Sequence, residues 1–267
     1  MKLRKYLSFV RAGMLEILYF RLSAFIIVIG NLIYLVIVYY LWRAIYDSAE
    51  TSQVNGMTFS DTLIYLVLAT AMFNFLEVFL VWDMGENIRS GKIVLDLLKP
   101  MKFKSYTFWI YSGNFIMKFF MTFLPTFLII CVISNGKVHF GINMIYFVVS
   151  VIIGLLINFN LDFFVGTICL YTESIWGINI MKQVVVMLFS GVTIPLCFFP
   201  ATLRKAAYML PFQSIYDTPL TILIHHEMSV EKVFTAIGIQ LVWLLTVTVI
   251  NKLFWSVSVQ RIAVNGG

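Results

Sequence analysis

DMGENIRSGKIVLDLLKPMKFK, residues 83–104, is the longest charged segment between two strongly apolar blocks of the sequence. Its basic side chains are Arg89, Lys92, Lys99, Lys102 and Lys104. The sequence on either side has the composition of helices embedded in lipid. Loops rich in Lys and Arg between membrane spans face the cytoplasm. We therefore expect this segment to be a cytoplasmic loop that contacts a partner.

The composition is that of a polytopic membrane protein. Of 267 residues, 61% are hydrophobic and 12% are charged, and the mean hydropathy is +0.92. Soluble domains are about half apolar and about a quarter charged. The formal net charge of +6 is explained better by membrane topology than by nucleic acid, because the basic residues flank apolar segments. We expect no nucleic-acid partner and one membrane domain over residues 1–267.

Six segments have the length of about 20 apolar residues that a membrane span requires. They cover residues 22–42, 59–82, 108–133, 144–166, 178–199 and 233–255. With the N-terminus inside, thirteen of the 19 Lys and Arg residues, Lys182 included, fall on the cytoplasmic side and five fall outside. This bias predicts a multi-pass protein of the plasma or inner membrane with both termini in the cytoplasm.

Residues 1–21 are too polar to span a membrane. Apolar side chains recur there at spacings of three and four residues, and basic side chains lie off the stripe formed by Leu3, Leu7, Val10, Met14 and Ile17. The pattern predicts an amphipathic helix that lies in the interface against anionic lipid headgroups. The alternative, a signal peptide, lacks a small-residue cleavage site at the right distance.

Residues 190–227 contain four of the six prolines yet stay largely apolar; these are Pro195, Pro200, Pro211 and Pro219. Proline interrupts helices, and irregular backbone at membrane depth must be buried in protein or line a cavity. We expect short re-entrant or interfacial helices at the outer face, with an ordinary kinked hairpin loop as the alternative. The predicted fold is thus an all-α polytopic membrane protein with six transmembrane helices.

The sequence predicts no catalytic, cofactor or metal site on this chain. GENIRSGKI is not a phosphate-binding loop, because Gly85 is one residue too far from Gly91 and Lys92 precedes Ile93 instead of Ser or Thr. The remaining candidates lack metal-ligand spacing, and we expect a surface cluster and buried thiols; they are His139, His225, His226, Glu227, Cys131, Cys169 and Cys197.

Three ionisable residues fall within the predicted spans: Glu77, Lys118 and Asp162. Such residues are candidates for functional sites. Glu77 and Lys118 fall at depths that allow the long lysine to reach the carboxylate across adjacent helices. We predict a structural pair, because a secondary carrier more often has several charges near the midplane or an inverted repeat.

The arrangement resembles the type-2 ABC exporter permeases, in their six-span branch of multidrug or antibiotic exporters. The resemblance is carried by the amphipathic N-terminal helix, by ENIRSGKIVLDLLKP at residues 86–100, and by SGVTIPLCFFP at residues 190–200 with the later Pro211 and Phe212. It covers nearly the whole chain. It implies two permeases, identical or related sister chains, above two separate ATP-binding subunits that hold ATP and Mg²⁺.

The resemblance also implies that the loop at residues 83–105 contains a coupling helix that docks on the ATPase. Gly91 permits a sharp turn, and Val94, Leu97 and Leu98 share one helical face. Glu86, Arg89 and Lys92 complete the predicted coupling site, whose basic flanks suit an acidic-rimmed cleft. The alternatives are a loop that only sets topology, and, for the whole chain, a lipid-modifying enzyme or a secondary carrier.

Overall fold

The computed structural model describes residues 2–19, 21–49, 51–134, 141–172, 175–224 and 228–262. Four helices in these ranges are long and apolar enough to cross a membrane: Phe59–Arg89, Phe103–Ile133, Ile142–Ile168 and Val230–Arg261. A shorter apolar helix covers Ile175–Phe189. The chain is therefore a largely helical, multi-pass membrane protein, as the sequence predicts.

The α-helices of the described residues are, in chain order, α1 (Lys2–Tyr19), α2 (Arg21–Ser48), α3 (Phe59–Leu76), α4 (Leu80–Arg89), α5 (Ile93–Leu97), α6 (Phe103–Lys118), α7 (Leu124–Ile133), α8 (Ile142–Ile168), α9 (Ile175–Phe189), α10 (Ala201–Tyr208), α11 (Asp217–Ile224) and α12 (Val230–Ser258). A π-helical segment, Phe119–Phe123, joins α6 to α7. The first, fourth and sixth predicted spans lie within α2, α8 and α12.

The second predicted span is interrupted and the fifth is shortened. Within residues 59–82, α3 ends at Leu76, Glu77 is extended with ψ 118°, and α4 begins at Leu80. The carbonyl groups at this break accept hydrogen bonds from side chains instead, Leu76 from Asn158 and Glu77 from Lys118. These bonds satisfy backbone groups that the interrupted helix leaves free.

The fifth predicted span, residues 178–199, is helical over only part of its length. Helix α9 ends at Phe189, and Gly191 has a φ of +83°. At about 1.5 Å per residue, the 15 residues of α9 reach roughly 22 Å, less than the roughly 30 Å of bilayer hydrocarbon. The remaining residues form an irregular stretch that contains Pro195.

A small hairpin departs from the all-α prediction. Strands β1 (Gln53–Val54) and β2 (Met57–Thr58) pair antiparallel across Asn55 and Gly56, whose φ values are +50° and +84°. Asn-Gly is the preferred pair for such two-residue turns, so the sequence contained this signal. Thr58 then begins α3, since its hydroxyl accepts from the Asp61 amide at 3.2 Å.

The core lies between α3, α8 and α11. Leu68, Met72 and Ile157 are fully buried there together with Leu220. Helix α8 also packs against α4 and α12. Helix α8 therefore contacts both α4 and the two helices at the end of the chain, α11 and α12.

Helix α1 packs along α6 by a close approach of two glycines. A Cβ atom on Gly13 would lie 2.1 Å from the carbonyl oxygen of Ile110, and one on Gly113 would lie 2.1 Å from that of Val10. Val10 is buried, whereas Leu7, on the same predicted stripe, is exposed. The amphipathic helix is thus held by protein on one face; its position in the membrane interface stays a prediction.

The proline-rich segment between α9 and α12 consists of short helical pieces. Pro195, Pro200 and Pro211 each precede one of them: Leu196–Phe198, α10 and Phe212–Ser214. Pro219 lies in the first turn of α11. The first amide groups of a helix have no hydrogen-bond acceptor within that helix, so proline, which lacks the amide hydrogen, is well tolerated there. The depth of the pieces in the membrane stays a prediction.

Candidate functional site

The charged segment at residues 83–104 folds as a helix, a turn and a short second helix. Helix α4 ends at Arg89, Ser90 caps it, and Gly91 has a φ of +73°. L-residues other than glycine rarely adopt this left-handed conformation. The chain then turns into α5, which is capped by Leu98 before Pro100. Gly91 is therefore the turn that the sequence predicts.

Helix α5 is anchored by one apolar side chain and presents others to the surroundings. Ile93 is 1% exposed, whereas Leu95 is 66% and Leu98 is 76% exposed. Val94 and Leu97, which the sequence analysis placed on the docking face with Leu98, are half-buried. Leu95 was not selected, although its spacing of three residues from Leu98 places both on one face. The exposed apolar pair is thus Leu95 and Leu98.

Two of the basic side chains near this face are paired within the segment. Arg89 lies 3.1 Å from Glu86, and Lys99 lies 2.6 Å from Asp96. Lys99 also lies over the Tyr106 ring, 3.6 Å from its centroid. Burial lowers the pKa of Lys99, but the contacts with Asp96 and Tyr106 outweigh it and leave the pKa raised. Lys92 remains exposed.

A cavity of about 300 Å³ lies beside this segment, between α1, α4, α5 and α6. Four carboxylates line it together with aromatic rings; they are Glu16, Asp83, Glu86 and Asp96. The hydroxyl group of Tyr111 donates to Asp83. The surface around α5 therefore has acidic as well as basic parts, and Glu86 is the one of these four carboxylates that the predicted coupling site included.

A second polar group of residues lies at the break between α3 and α4. Lys182 of α9 donates to Asp162 of α8 at 2.8 Å, and its ammonium nitrogen lies 3.7 Å from the Glu77 carboxylate. Gln183 donates to that carboxylate at 2.8 Å. Asn158 lies 3.4 Å from Asp162. We call this group, with Lys118, the polar cluster.

The structure brings Glu77 and Lys118 together, but not as the sequence predicts. Lys118 donates to the backbone carbonyl of Glu77, while the carboxylate faces Lys182 and Gln183. The sequence predicts Lys182 to be a cytoplasmic charge, yet its side chain is 6% exposed and lies beside the fully buried Asp162. Only the packing of α8 against α9 reveals this pair, since twenty residues separate the two in sequence.

A third polar contact lies at the start of α11. The fully buried Asp217 accepts a hydrogen bond of 3.0 Å from Tyr65, and Tyr208 is a further hydrogen-bond partner. Gly191 makes room for it, since a Cβ atom there would lie 2.6 Å from the Tyr65 hydroxyl. Burial raises the pKa of Asp217 to about 6, although both tyrosines act in the opposite direction. Asp217 is not among the residues that the sequence predicts to be functional.

The described residues do not form a metal site. Among the described residues, no group of three or more His, Cys, Asp or Glu side chains is arranged to hold a metal ion. The cysteines are free thiols on separate elements. The remaining candidates, His139, His225, His226 and Glu227, lie outside the described residues.

Comparison with known families gives one match. The family described as ABC-2 family transporter protein matches residues 32–266, which is most of the chain. The match includes the α4–α5 segment, the polar cluster and the proline-rich segment. Among curated proteins, none matches the sequence.

Proposed function

The chain belongs to the ABC-2 family of transporter proteins, and from this premise we propose that it is the membrane permease of an exporter driven by ATP on separate subunits. Two ATP-binding subunits hold ATP and Mg²⁺, and a second permease, identical or a related sister chain, completes the path. The chain crosses the plasma or inner membrane six times, at α2, α3–α4, α6–α7, α8, α9 with the irregular stretch that follows it, and α12. Both termini lie in the cytoplasm.

The observation that carries the proposal is the exposed apolar face on the short helix after Gly91. Leu95 and Leu98 project from α5 while Ile93 fixes its other side in the protein. A loop that only set topology would need the basic residues and not these leucines. An apolar pair with charged neighbours suits a groove on the ATPase, where the leucines are buried and the rim charges set orientation.

The packing of α4 supports transmission from α5 into the membrane. A Cβ atom on Gly85 would lie 2.8 Å from Ile175 of α9, and one on Gly166 of α8 would lie 2.7 Å from Met84. Helix α4 thus lies in close contact with both helices. Displacement of α5 by the ATPase moves α4, and α4 moves α8 and α9 because packed interiors are nearly incompressible.

The cargo passes between the two permeases, along apolar faces of the first, second and fifth spans, and phenylalanines are frequent in the second and fifth. Such a lining suits an amphipathic or lipid-like molecule. A lipid-modifying enzyme and a secondary carrier are the alternatives, and they differ from an exporter in needing no ATPase partner.

The test is co-purification with the ATP-binding subunit, followed by ATPase assay in lipid. Leu95→Glu with Leu98→Glu places two charges on the proposed contact, and we expect at least a tenfold loss of bound ATPase. Leu203→Glu is the matched control, because Leu203 is 42% exposed on α10, far along the chain from α5. It should retain the partner.

Two outcomes would overturn the proposal. One is a double variant that binds the ATPase as tightly as the unmodified chain does. The other is transport by the purified chain alone, without ATP, which would favour the carrier.

A further inference from the structure

A cavity of about 570 Å³ lies in the proline-rich region, bounded by the end of α10, by α11 and by the start of α12. Its volume is within the range of about 300–1,000 Å³ that small-molecule sites occupy. No ligand site is predicted from the sequence at the residues that line this cavity. The cavity is also separate from the polar cluster and from α5, so neither of those sites explains it.

The wall of the cavity combines buried polar groups with apolar surface. Gln213, Asp217 and Thr218 are all under one-tenth exposed, and Thr218 donates to Gln213. The hydroxyl of Tyr208 lies beside Asp217, and Ile222 and Ile239 supply apolar contacts. A few convergent polar groups in an otherwise apolar cleft are typical of a ligand site.

Among the residues that the structure describes, the carboxylate of Asp217 at this cavity has no counter-ion. No Lys or Arg among the described residues forms an ion pair with Asp217, whose hydrogen-bond partners are neutral. Glu231, at the exposed first turn of α12, adds a second carboxylate, and Lys232 beside it is the one cation among the described lining residues. A buried carboxylate that lacks a cation attracts one strongly, because the surroundings screen charge weakly.

We propose that this cavity binds the ammonium group of an organic cation, with the carboxylate of Asp217 and the ring of Tyr208 as its recognition elements. Carboxylate and aromatic face together are the chemistry that recognises alkylammonium groups. The isoleucines contact the apolar part of the same molecule. The inference names a cargo class for the proposed exporter, and in that respect rests on the proposed function.

The test is binding of ethidium, a fluorescent organic cation, to the purified chain in lipid nanodiscs without ATPase. We expect phenyltrimethylammonium to displace the dye and its neutral isostere tert-butylbenzene not to. Asp217→Asn keeps the shape and removes the charge, and should weaken dye binding at least tenfold. Asp47→Asn, at an exposed carboxylate on α2, is the matched control and should bind as before.

A second variant keeps the test decisive if Asp217→Asn fails to fold. Ala236→Phe fills the cavity from its α12 wall and should abolish displaceable binding, whereas Ala201→Phe, at the exposed start of α10, should not. Equal displacement by the neutral isostere, or unchanged binding in the folded Asp217 and Ala236 variants, overturns the inference. Because this assay contains no ATPase, a negative result would not bear on whether α5 docks on the ATP-binding subunit.

Discussion

Lys182 on α9 donates a 2.8 Å hydrogen bond to Asp162 on α8, and both side chains are buried. The Glu77 carboxylate, at the break between α3 and α4, lies 3.7 Å from the same ammonium nitrogen. One cation therefore joins three parts of the membrane domain. Because buried charges are tolerated only when they are paired, this contact fixes where α4 lies relative to α8 and α9.

We expect Lys182→Met to destabilise the folded protein by about 3–5 kcal/mol, since it leaves two buried or half-buried carboxylates without their cation. Thermal unfolding in detergent, or the yield of monodisperse protein, measures the effect. Lys252→Met removes an exposed lysine from the end of α12 and should change neither. Equal stability of the two variants would show that the buried pair does not stabilise the fold.

The sequence predicts the conformation at Gly91 but not the surroundings of Lys182. The turn at Gly91 was predictable because its cause, a glycine between two helix-forming stretches, is local. The environment of Lys182 was not, because it depends on which helices are neighbours and on α9 being short. The sequence predicts Val94 and Leu97 on the docking face instead of Leu95 for a similar reason. Which face of α5 is exposed depends on where Ile93 packs, and that contact lies outside the helix.

Because α1 and α6 pack closely, a single methyl group added at their contact should lower the stability of the folded protein. In Gly113→Ala the new Cβ atom would lie 2.1 Å from the Val10 carbonyl oxygen, so the two helices must separate. Overpacking of this kind destabilises by about 1–3 kcal/mol. Gly238→Ala, in α12 with no atom within 4 Å of the new Cβ, should be neutral or slightly stabilising. A lower melting temperature for the first variant alone is the expected result.

The turn at Gly91 should tolerate asparagine better than valine. No atom lies within 4 Å of a Cβ atom built at this position, so any effect is conformational and not steric. Left-handed backbone costs an L-residue about 1–2 kcal/mol, and asparagine is the mildest exception. We expect Gly91→Val to weaken ATPase binding severalfold and Gly91→Asn to retain most of it. Equal loss in both variants would argue against a requirement for this conformation.

The difference in stability between Asp217→Asn and the unmodified protein should depend on pH. Burial raises the pKa of this carboxyl from 3.8 to about 6, so the folded state holds the proton more tightly than the unfolded state does. Its stabilising contribution is complete below pH 4 and is lost as the pH rises through 6, a change of about 3 kcal/mol. Asp217→Asn does not titrate. Its melting temperature relative to the unmodified protein should therefore rise between pH 4.5 and pH 7.5.

The control for this measurement is Gly238→Ala, since neither residue titrates and no atom lies within 4 Å of the new Cβ atom. The difference between that variant and the unmodified protein should stay constant with pH. The neighbouring titratable groups are Tyr65, Tyr208 and Cys197. Tyrosine and cysteine side chains ordinarily have pKa values of about 10 and about 8.5, so all three groups stay largely protonated between pH 4.5 and pH 7.5. A constant difference for Asp217→Asn would contradict the prediction.

Double-variant cycles should separate the two contacts that Glu77 makes. Glu77→Gln, Lys118→Met and Lys182→Met should each lower the yield of folded protein. Because Lys118 donates to the Glu77 carbonyl, which Gln retains, Glu77→Gln and Lys118→Met should be nearly additive. Because Lys182 pairs with the Glu77 carboxylate, Glu77→Gln and Lys182→Met should show a coupling energy of about 0.5–3 kcal/mol. The opposite pattern would mean that Lys118, as the sequence predicts, is the ion-pair partner of Glu77.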